Sequence, residues 1–557
     1  MRLKALFMSM AASLALVGCS SEEDVLNGGT DPAAGETGYV AVNIVQPESV
    51  GTRANASTQF EDGSDAENKA ETGLFFIYDK EGTTMYGDPQ VVDLTNGDPP
   101  GSSSPYVEKI YKAILVIDGV KTKPTDAYQI VCVLNAPDEL KSLTSTTNLT
   151  DLRAKIDNYG AHTDGAFIMT NSVYKNGSDE VCGAIIESDK LKQSAPAALA
   201  DPVDIYVERV VAKVRVGAAK FDNQKGATAI VDGAEKKLTI KVTGVEIANI
   251  ADKAYLFKSI TGITYDSWTW NDATNKRSYW ETVPATTGDN PLTFSNKTYN
   301  EIANDSKFDI TQANFTEYIQ PNTTPSQKTS ILVTAELMDG ENPADLAYIR
   351  GGYTTKEGAK NIIASYLQNQ GYYKGVTESG VTTYTSIAPE DIEWKNNNDF
   401  TNDADKIDNL KSYEVVAQVK ASVTGLYKKN SEGKYETTDV ATINTLLKGK
   451  NAYFARLYGP DEENGKCLCY YFVNIDQTPV AIDNGYTEED KFEGVIRNHI
   501  YDLTLNSIEG IGIPVFDPDE DIIPETPDEN EDLWYLGARV NVLKWRLVKQ
   551  TVNFKGE

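Results

Sequence analysis

The sequence predicts a mainly β fold, built as two tandem antiparallel β-sandwich domains with a few short helices. Three observations carry that expectation. Apolar residues recur at every second position in a series of short runs, the period of a half-buried strand. Clusters of Gly, Pro, Asn and Asp separate those runs. Tyr (30) outnumbers Phe (16) and Gly is plentiful (41), a composition that favours pleated surfaces and turns over helices. At 557 residues the chain is long enough for two or more domains.

The chain starts with Arg2 and Lys4 followed by an uncharged apolar run over 5–17, the n-region and h-region of a secretory signal. That run is shorter than the ~20 residues a membrane-spanning helix needs. It closes on Leu16-Val17-Gly18-Cys19, which resembles the lipobox of bacterial lipoproteins. The resemblance implies cleavage before Cys19 and a diacylglycerol on its thiol. Each buried CH₂ of a lipid chain contributes ~0.8 kcal/mol, so several chains on one Cys hold a protein at a membrane. Ser20-Ser21-Glu22-Glu23-Asp24 is similar to the acidic tag that sends Bacteroidetes lipoproteins to the cell surface.

Val40, Val42 and Ile44 then alternate with Tyr39, Ala41, Asn43 and Val45, which predicts one strand. Residues 47–58 read as an open loop, with Arg53 and Ala54 at its middle among small residues that a trypsin-like protease accommodates. On the loop alone Arg53 reads as an ordinary exposed residue. Its position changes that reading. A cut after Arg53 releases lipid, tether and strand together, and leaves an unsatisfied groove in the sheet that held the strand.

Strand patterns follow at 73–78, 106–117, 127–134, 167–169 and 181–186. Leu149, Leu152 and Ile156 have helical spacing, with Asn148 as the N-cap. The run 203–216 alternates but breaks near Arg209-Val210-Val211, which predicts a bulge or a shift between sheet faces. Further on, 238–247, 329–337, 451–458 and 469–475 read as strands, and 356–370 and 439–447 as helical insertions. Residues 265–280 hold Trp268, Trp270, Tyr279 and Trp280. They could stack on a glycan or form a packed loop, and the packed loop is favoured.

Residues 517–532 hold nine carboxylates, three Pro and no base. The ligand spacing and glycine of an EF-hand loop are absent, so a solvated, extended linker is expected. Beyond it the chain alternates in two phases. Ala538, Val540 and Val542 share one parity, and Leu543, Trp545 and Leu547 take the other, which suits two short strand pieces. Burying about five such side chains at ~1.5–3 kcal/mol each gives a gross term of ~10 kcal/mol. The other expectation for this strand is that it completes the sheet of its own domain.

Composition excludes several classes of function. A net charge of −30 repels nucleic acid and anionic headgroups. Besides Cys19 there are four Cys (Cys132, Cys182, Cys467, Cys469), few for an exported chain that relied on disulfides, and Cys467 and Cys469 read as small buried residues on one strand face. With only His162 and His499, a His-based catalytic or zinc site is not expected. There is no Gly-x-Ser-x-Gly elbow and no phosphate loop. No enzyme activity, metal site or cofactor is predicted.

Several segments resemble the fimbrillins of Bacteroidales type V pili, typified by the Porphyromonas major and minor fimbriae. They are Gln129-Ile-Val-Cys-Val-Leu-Asn-Ala-Pro137, Phe167-Ile-Met-Thr-Asn171, Val207-Glu-Arg-Val-Val-Ala-Lys-Val214 and residues 249–256. The most specific is Val495-Ile-Arg-Asn-His-Ile-Tyr501 with the alternating strand and Gly510-Ile-Gly512 after it. There Arg497, Asn498 and His499 are expected to satisfy neighbouring backbone groups at the start of a strand. The resemblance implies transthyretin-like sandwiches and a surface fimbrium reached through an outer-membrane lipoprotein precursor. It implies a signal at 1–18, a lipidated propeptide at 19–53, domains at 54–217 and 218–532, and a donor-strand region at 533–557. An Arg-specific, trypsin-like protease would cut after Arg53, removing Val40, Val42 and Ile44. The terminal strand of another copy or a related subunit, with Val540, Val542, Leu543, Trp545 and Leu547, would fill the groove by β-augmentation. Such head-to-tail contacts build open filaments that serve adhesion and biofilm formation. Having both a usable Arg and a terminal strand points to the shaft. The rival expectation is an anchored surface lipoprotein that binds glycan through 265–280.

Overall fold

A computed structural model describes residues 38–47, 63–94, 107–117, 127–160, 166–192, 194–217, 224–263, 276–305, 314–460, 465–475, 493–524, 535–541 and 546–547. Cys19, Arg53, Ala54, Val542, Leu543 and Trp545 lie outside the described residues. The chain is mainly β, with several sheets and a few short helices.

The first sheet contains β1 (Gly38–Pro47), β2 (Thr72–Asp79), β3 (Gln90–Asp93), β4 (Val107–Ile117), β5 (Tyr128–Leu134), β6 (Met169–Asn171), β7 (Ala184–Ile186) and β8 (Val203–Arg209). Across the sheet the order is β3-β2-β5-β6-β8-β1-β4, with β7 beside β5. Both faces are covered, which explains why β2 is apolar without alternation. Leu74, Phe76 and Tyr78 face one core with Val131 and Val133, and Phe75 and Ile77 face a second with Val40, Val42, Ile44 and Leu115. Helix α1 (Leu149–Arg153) closes the first of these cores, and the Asn148 side chain accepts the Asp151 N–H as its cap. Helix α2 (Ala195–Ala200) packs against β1 and β4. The sheet curls until its outer strands meet, and the Gln90 side chain on β3 bonds to Val116 of β4, nearly closing a barrel.

The break near Arg209 is a change of sheet, not a bulge. Ile205 and Val207 on β8 face the core that contains β1. Val210 and Val211 are buried against α1, and Ala212, Val214 and Val216 then enter a third core. That core lies between two further sheets, made from β9 (Ala212–Gly217), β10 (Gln224–Val231), β11 (Ala234–Ala248), β12 (Asn314–Ile319), β13 (Ser330–Asp339), β14 (Leu468–Asn474), β15 (His499–Glu509), β16 (Tyr535–Asn541) and β17 (Arg546–Leu547). One sheet runs β12-β9-β15-β16 with β17 also on β15, and the other has β10-β11-β13-β14 at its centre.

Pairing is not antiparallel throughout. β1 with β8, β9 with β15, β15 with β17, and β10 with Gly352–Thr354 run parallel. In each case a long stretch of chain separates the partners, so no hairpin forces them antiparallel.

Helix α3 (Tyr299–Ala303) begins in a capping box between Thr298 and Glu301. It also corrects the reading of the acidic stretch as a solvated linker over 517–524; the rest of that stretch lies outside the described residues. Asn300 donates through its backbone to the Pro518 carbonyl (3.0 Å) and through Nδ2 to Asp519 (2.8 Å). Asn396 reaches Glu520 (2.6 Å). Val515 and Ile522 are buried on either side of the acids and hold them to the surface. Helices α4 (Lys356–Asn369) and α5 (Val440–Lys448) start at side-chain caps on Thr355 and Asp439 and share a core with Trp394 and Val415. The strand expected at 451–458 is instead a 3₁₀ turn, Asn451–Tyr453, and a three-residue strand, Ala455–Leu457, with the Tyr453 ring packed at a tilt on Tyr366 of α4 at 4.2 Å. Among the described residues no helix is long and apolar enough to cross a membrane.

Candidate functional site

The strand singled out in the sequence lies inside the first sheet, not at its edge. β1 runs antiparallel to β4 from Gly38↔Ile117 to Pro47↔Val107, and parallel to β8 from Val42↔Val203 to Val45↔Tyr206. The registers line up three rows of side chains. Val40 lies beside Leu115, Val42 lies between Ala113 and Val203, and Ile44 lies between Tyr111 and Ile205. Val40, Val42 and Ile44 are fully buried (0 %). At ~1.5–3 kcal/mol per fully buried aliphatic side chain, these three alone contribute about 5–9 kcal/mol gross. Ala41 is buried on the opposite side, where α2 packs. Among the described strands β1 is the only ladder partner of β4.

The segment that resumes at residue 63 is pinned where the first and second sheets meet. Asn68 and Glu67 are buried. Glu67 accepts from Lys213 of β9 (2.7 Å), Tyr318 of β12 (2.7 Å) and the Ser64 N–H (2.6 Å). Arg209, the last residue of β8, donates to the Glu67 carbonyl (2.9 Å), to Asn68 Oδ1 and to Asn498 Oδ1 (3.0 Å). Burial opposes ionisation of Glu67. The hydrogen bonds from Lys213, Tyr318 and Ser64, with the Lys213 charge, outweigh it and hold the carboxyl down at about 2.

The residues expected to satisfy backbone groups do so. Arg497, fully buried, pairs with Glu281 (2.8 Å) and donates to the carbonyls of Leu256 (3.0 Å) and Tyr255 (2.8 Å). Asn498 takes a left-handed backbone (φ 57°), and its N–H reaches the Val211 carbonyl (2.7 Å). His499 Nδ1 donates to the Arg497 carbonyl (2.8 Å), a structural role. Beside them Lys258 Nζ meets Glu208 (3.0 Å), both buried. Burial pushes the Glu208 carboxyl up and the Lys258 ammonium down, and their mutual attraction opposes both shifts. These charges tie β8, the 255–281 segment and the start of β15 into one joint. Single-sequence periodicity has no signal for such a joint, because its members are up to 289 residues apart.

The terminal strand occupies an edge. β16 pairs antiparallel with β15, Val540 opposite Leu503 and Ala538 opposite Leu505, with a bulge between Leu505 and Ser507. Leu547 on β17 is opposite Ile500. The alternative expectation, that this strand completes a sheet of its own chain, therefore describes 535–541 in this structure.

The remaining expectations divide. All four described cysteines are buried and free, and Cys132 and Cys182 face different cores. Trp268 and Trp270 lie outside the described residues, whereas Tyr279 is buried and meets His499 edge-on at 6.2 Å. Among the described residues no group of three or more His, Cys, Asp or Glu is placed to hold a metal ion.

Comparison with known proteins gives one family match. Residues 463–551 match the family described as major fimbrial subunit protein type IV, fimbrillin, C-terminal. That span contains β14, β15, β16 and β17. No curated protein matches the chain. Among solved structures, the chain is similar to a proposed cell adhesion protein from Parabacteroides distasonis, with 13% identity over 92% of this chain and 98% of that one, at a TM-score of 0.38. It is also similar to a fimbrial assembly protein from the same organism, with 12% identity over 64% and 97%, at 0.28. A third is the tip fimbrial protein Mfa3 from Porphyromonas gingivalis, truncated at its C-terminus, with 9% identity over 91% and 100%, at 0.30.

Proposed function

We propose that this chain is the shaft subunit of a surface fimbrium, two tandem β-sandwich domains that polymerise by exchange of a strand. The precursor reaches the outer membrane with lipid on Cys19. An Arg-specific protease cuts between Arg53 and Ala54, and β1 leaves with the tether. The slot between β8 and β4 then takes the terminal strand of another copy or a related subunit, with Val540, Val542, Leu543, Trp545 and Leu547 replacing Val40, Val42 and Ile44. Repetition gives an open head-to-tail filament for adhesion and biofilm formation.

The observation that carries this reading is the place of β1. It is the first described strand, it precedes Arg53 by six residues, and both its edges and its apolar face are satisfied by elements that follow the cut. Removing it leaves two facing unpaired ladders over a deep apolar trough, which only another strand satisfies fully. The fimbrillin C-terminal match over 463–551 supports the same reading.

The test is limited tryptic digestion of the protein from residue 20 onward, read by mass spectrometry and negative-stain microscopy. A stable product starting at Ala54 that forms ladders or filaments is expected, and deletion of 534–557 is expected to abolish them. A resistant Arg53, or a trimmed protein that stays monomeric at high concentration, overturns the reading in favour of an anchored glycan-binding lipoprotein.

A further inference from the structure

On the reading just given, removal of β1 creates a second problem. β4 loses its only described ladder partner. If β4 followed β1 away from the sheet, the slot would have one wall, and an incoming strand would find only the edge of β8. Two sets of contacts on β4 do not involve β1. On its outer edge, the Gln90 carboxamide receives the Val116 N–H (3.0 Å) and donates to the Val116 carbonyl (2.7 Å). The amide side chain thus pairs with Val116 as a strand residue would, and ties β4 to β3 across the mouth of the barrel. On its inner face, the buried Tyr111 hydroxyl donates to the Asn68 carbonyl (2.7 Å) and accepts the Ala70 N–H (3.2 Å). Asn68 is in turn fixed by Arg209 at the end of β8. The far wall is therefore tied at one end to β3 and at the other, through residues 68–70, to β8.

We propose that Gln90 and Tyr111 are positioning residues for strand acceptance. They hold β4 in place after β1 is gone, so that the emptied slot keeps two walls at the spacing of one strand. Both lie in the part of the chain that the cut leaves behind, and none of their four bonds involves β1. In the uncut protein the long β1–β4 ladder dominates the polar restraints on β4. In the cut protein the four bonds from Gln90 and Tyr111 become its principal polar restraints.

The experiment compares the full-length wild type with Gln90→Met and Tyr111→Phe, singly and combined. Met keeps the length of Gln without its two bonds, and Phe keeps the ring in the core. Hydrogen exchange over 107–117 is followed before and after cutting at Arg53, together with the rate of ladder formation by the cut protein. Before cutting, the variants are expected to match wild type within about twofold. After cutting, wild type is expected to keep β4 protected. The double variant is expected to exchange there about tenfold faster and to form ladders correspondingly more slowly. A residue with a merely structural role would change the uncut protein as much as the cut one. Wild-type ladders with variants indistinguishable after cutting overturn the role of Gln90 and Tyr111 and leave strand exchange standing. So does β4 losing protection in cut wild type that still polymerises. Cut wild type that forms no ladders overturns strand exchange itself, and this inference with it.

Discussion

β1 and β16 are both single strands near the ends of the described chain, and both have an alternating apolar face in sequence. Their positions are opposite. β1 is flanked on both sides, by β4 and β8, with three fully buried aliphatic residues. Among the described strands β16 has one ladder neighbour, β15, and is the last in its sheet. A strand flanked on both sides cannot be withdrawn without opening two ladders and an apolar trough. An edge strand opens one. The difference separates the two roles physically. On the strand-exchange reading, the covalent link gives β1 the advantage of an intramolecular contact in filling its slot. On that reading, cutting the link removes this advantage while leaving the ladders of β1 to β4 and β8 as they are. β16 follows the cut, and opening its one described ladder costs less than opening the two that hold β1.

A charge in the slot separates β1 from β16 most strongly. Val42→Asp would bury a carboxylate between Ala113 and Val203, and an unpaired buried charge is expected to cost about 5 kcal/mol or more. Thermal unfolding and hydrogen exchange should show the first sheet lost or melting far below wild type. Deleting 533–557 removes a whole strand, yet the first-sheet transition is expected to move by no more than about 2 °C. If the deletion destabilises the first sheet as much as Val42→Asp does, β16 is not the independent edge strand described above.

A second substitution asks whether the joint between the sheets is a separate unit. Arg497→Met leaves Glu281 buried without its cation and frees two carbonyl acceptors. Breaking one partner of a buried pair is expected to cost about 3–5 kcal/mol. Hydrogen exchange should place the loss at 255–281 and the start of β15, with β1 protected until global unfolding. Protection lost first at β1 would mean that the slot depends on the joint.

What could be read in the sequence follows from the range of each interaction. Period two located β1 and β11, because a strand's two faces are set residue by residue, and short apolar runs bounded by turn residues located β2, β4, β5, β13 and β14. The cap Asn148 was legible because a cap acts three residues away. The break at Arg209-Val210-Val211 was visible as a change of parity, but its meaning was not. A bulge and a crossing between sheets give the same local pattern, and only the partners of β9 distinguish them. Nothing local marked Gln90 as the partner of Val116, or β1 as parallel to a strand some 160 residues later. The acidic run looked solvated because charge dominates its composition. In its described part, Val515 before the first acids and Ile522 after Asp521 are buried and hold that part to the surface.

The finest comparison concerns the boundary between what would be released and what would stay, and Glu67 marks it. Ser64, Lys213, Tyr318 and Arg209 gather on Glu67 and its backbone just after the cut, whereas none of these bonds involves β1. Its carboxyl stands at about 2 against an ordinary 4.5. A depressed acid favours the folded state fully above its unfolded value, and the contribution disappears as pH falls through the folded one. The stabilisation, on the order of 3 kcal/mol, is thus complete above about pH 4.5 and gone near pH 2. Glu67→Gln removes the charge while keeping the shape, and is expected to lower stability at pH 7 by about 2 kcal/mol. Between pH 4.5 and 2 its denaturant-unfolding profile should fall less steeply than wild type, and the two should converge at the acid end. Parallel profiles would mean that Glu67 does not titrate as the pin between β9 and the retained chain. If the pin holds in the cut protein as well, the same pH difference should persist after β1 is removed, since none of its bonds crosses the cut.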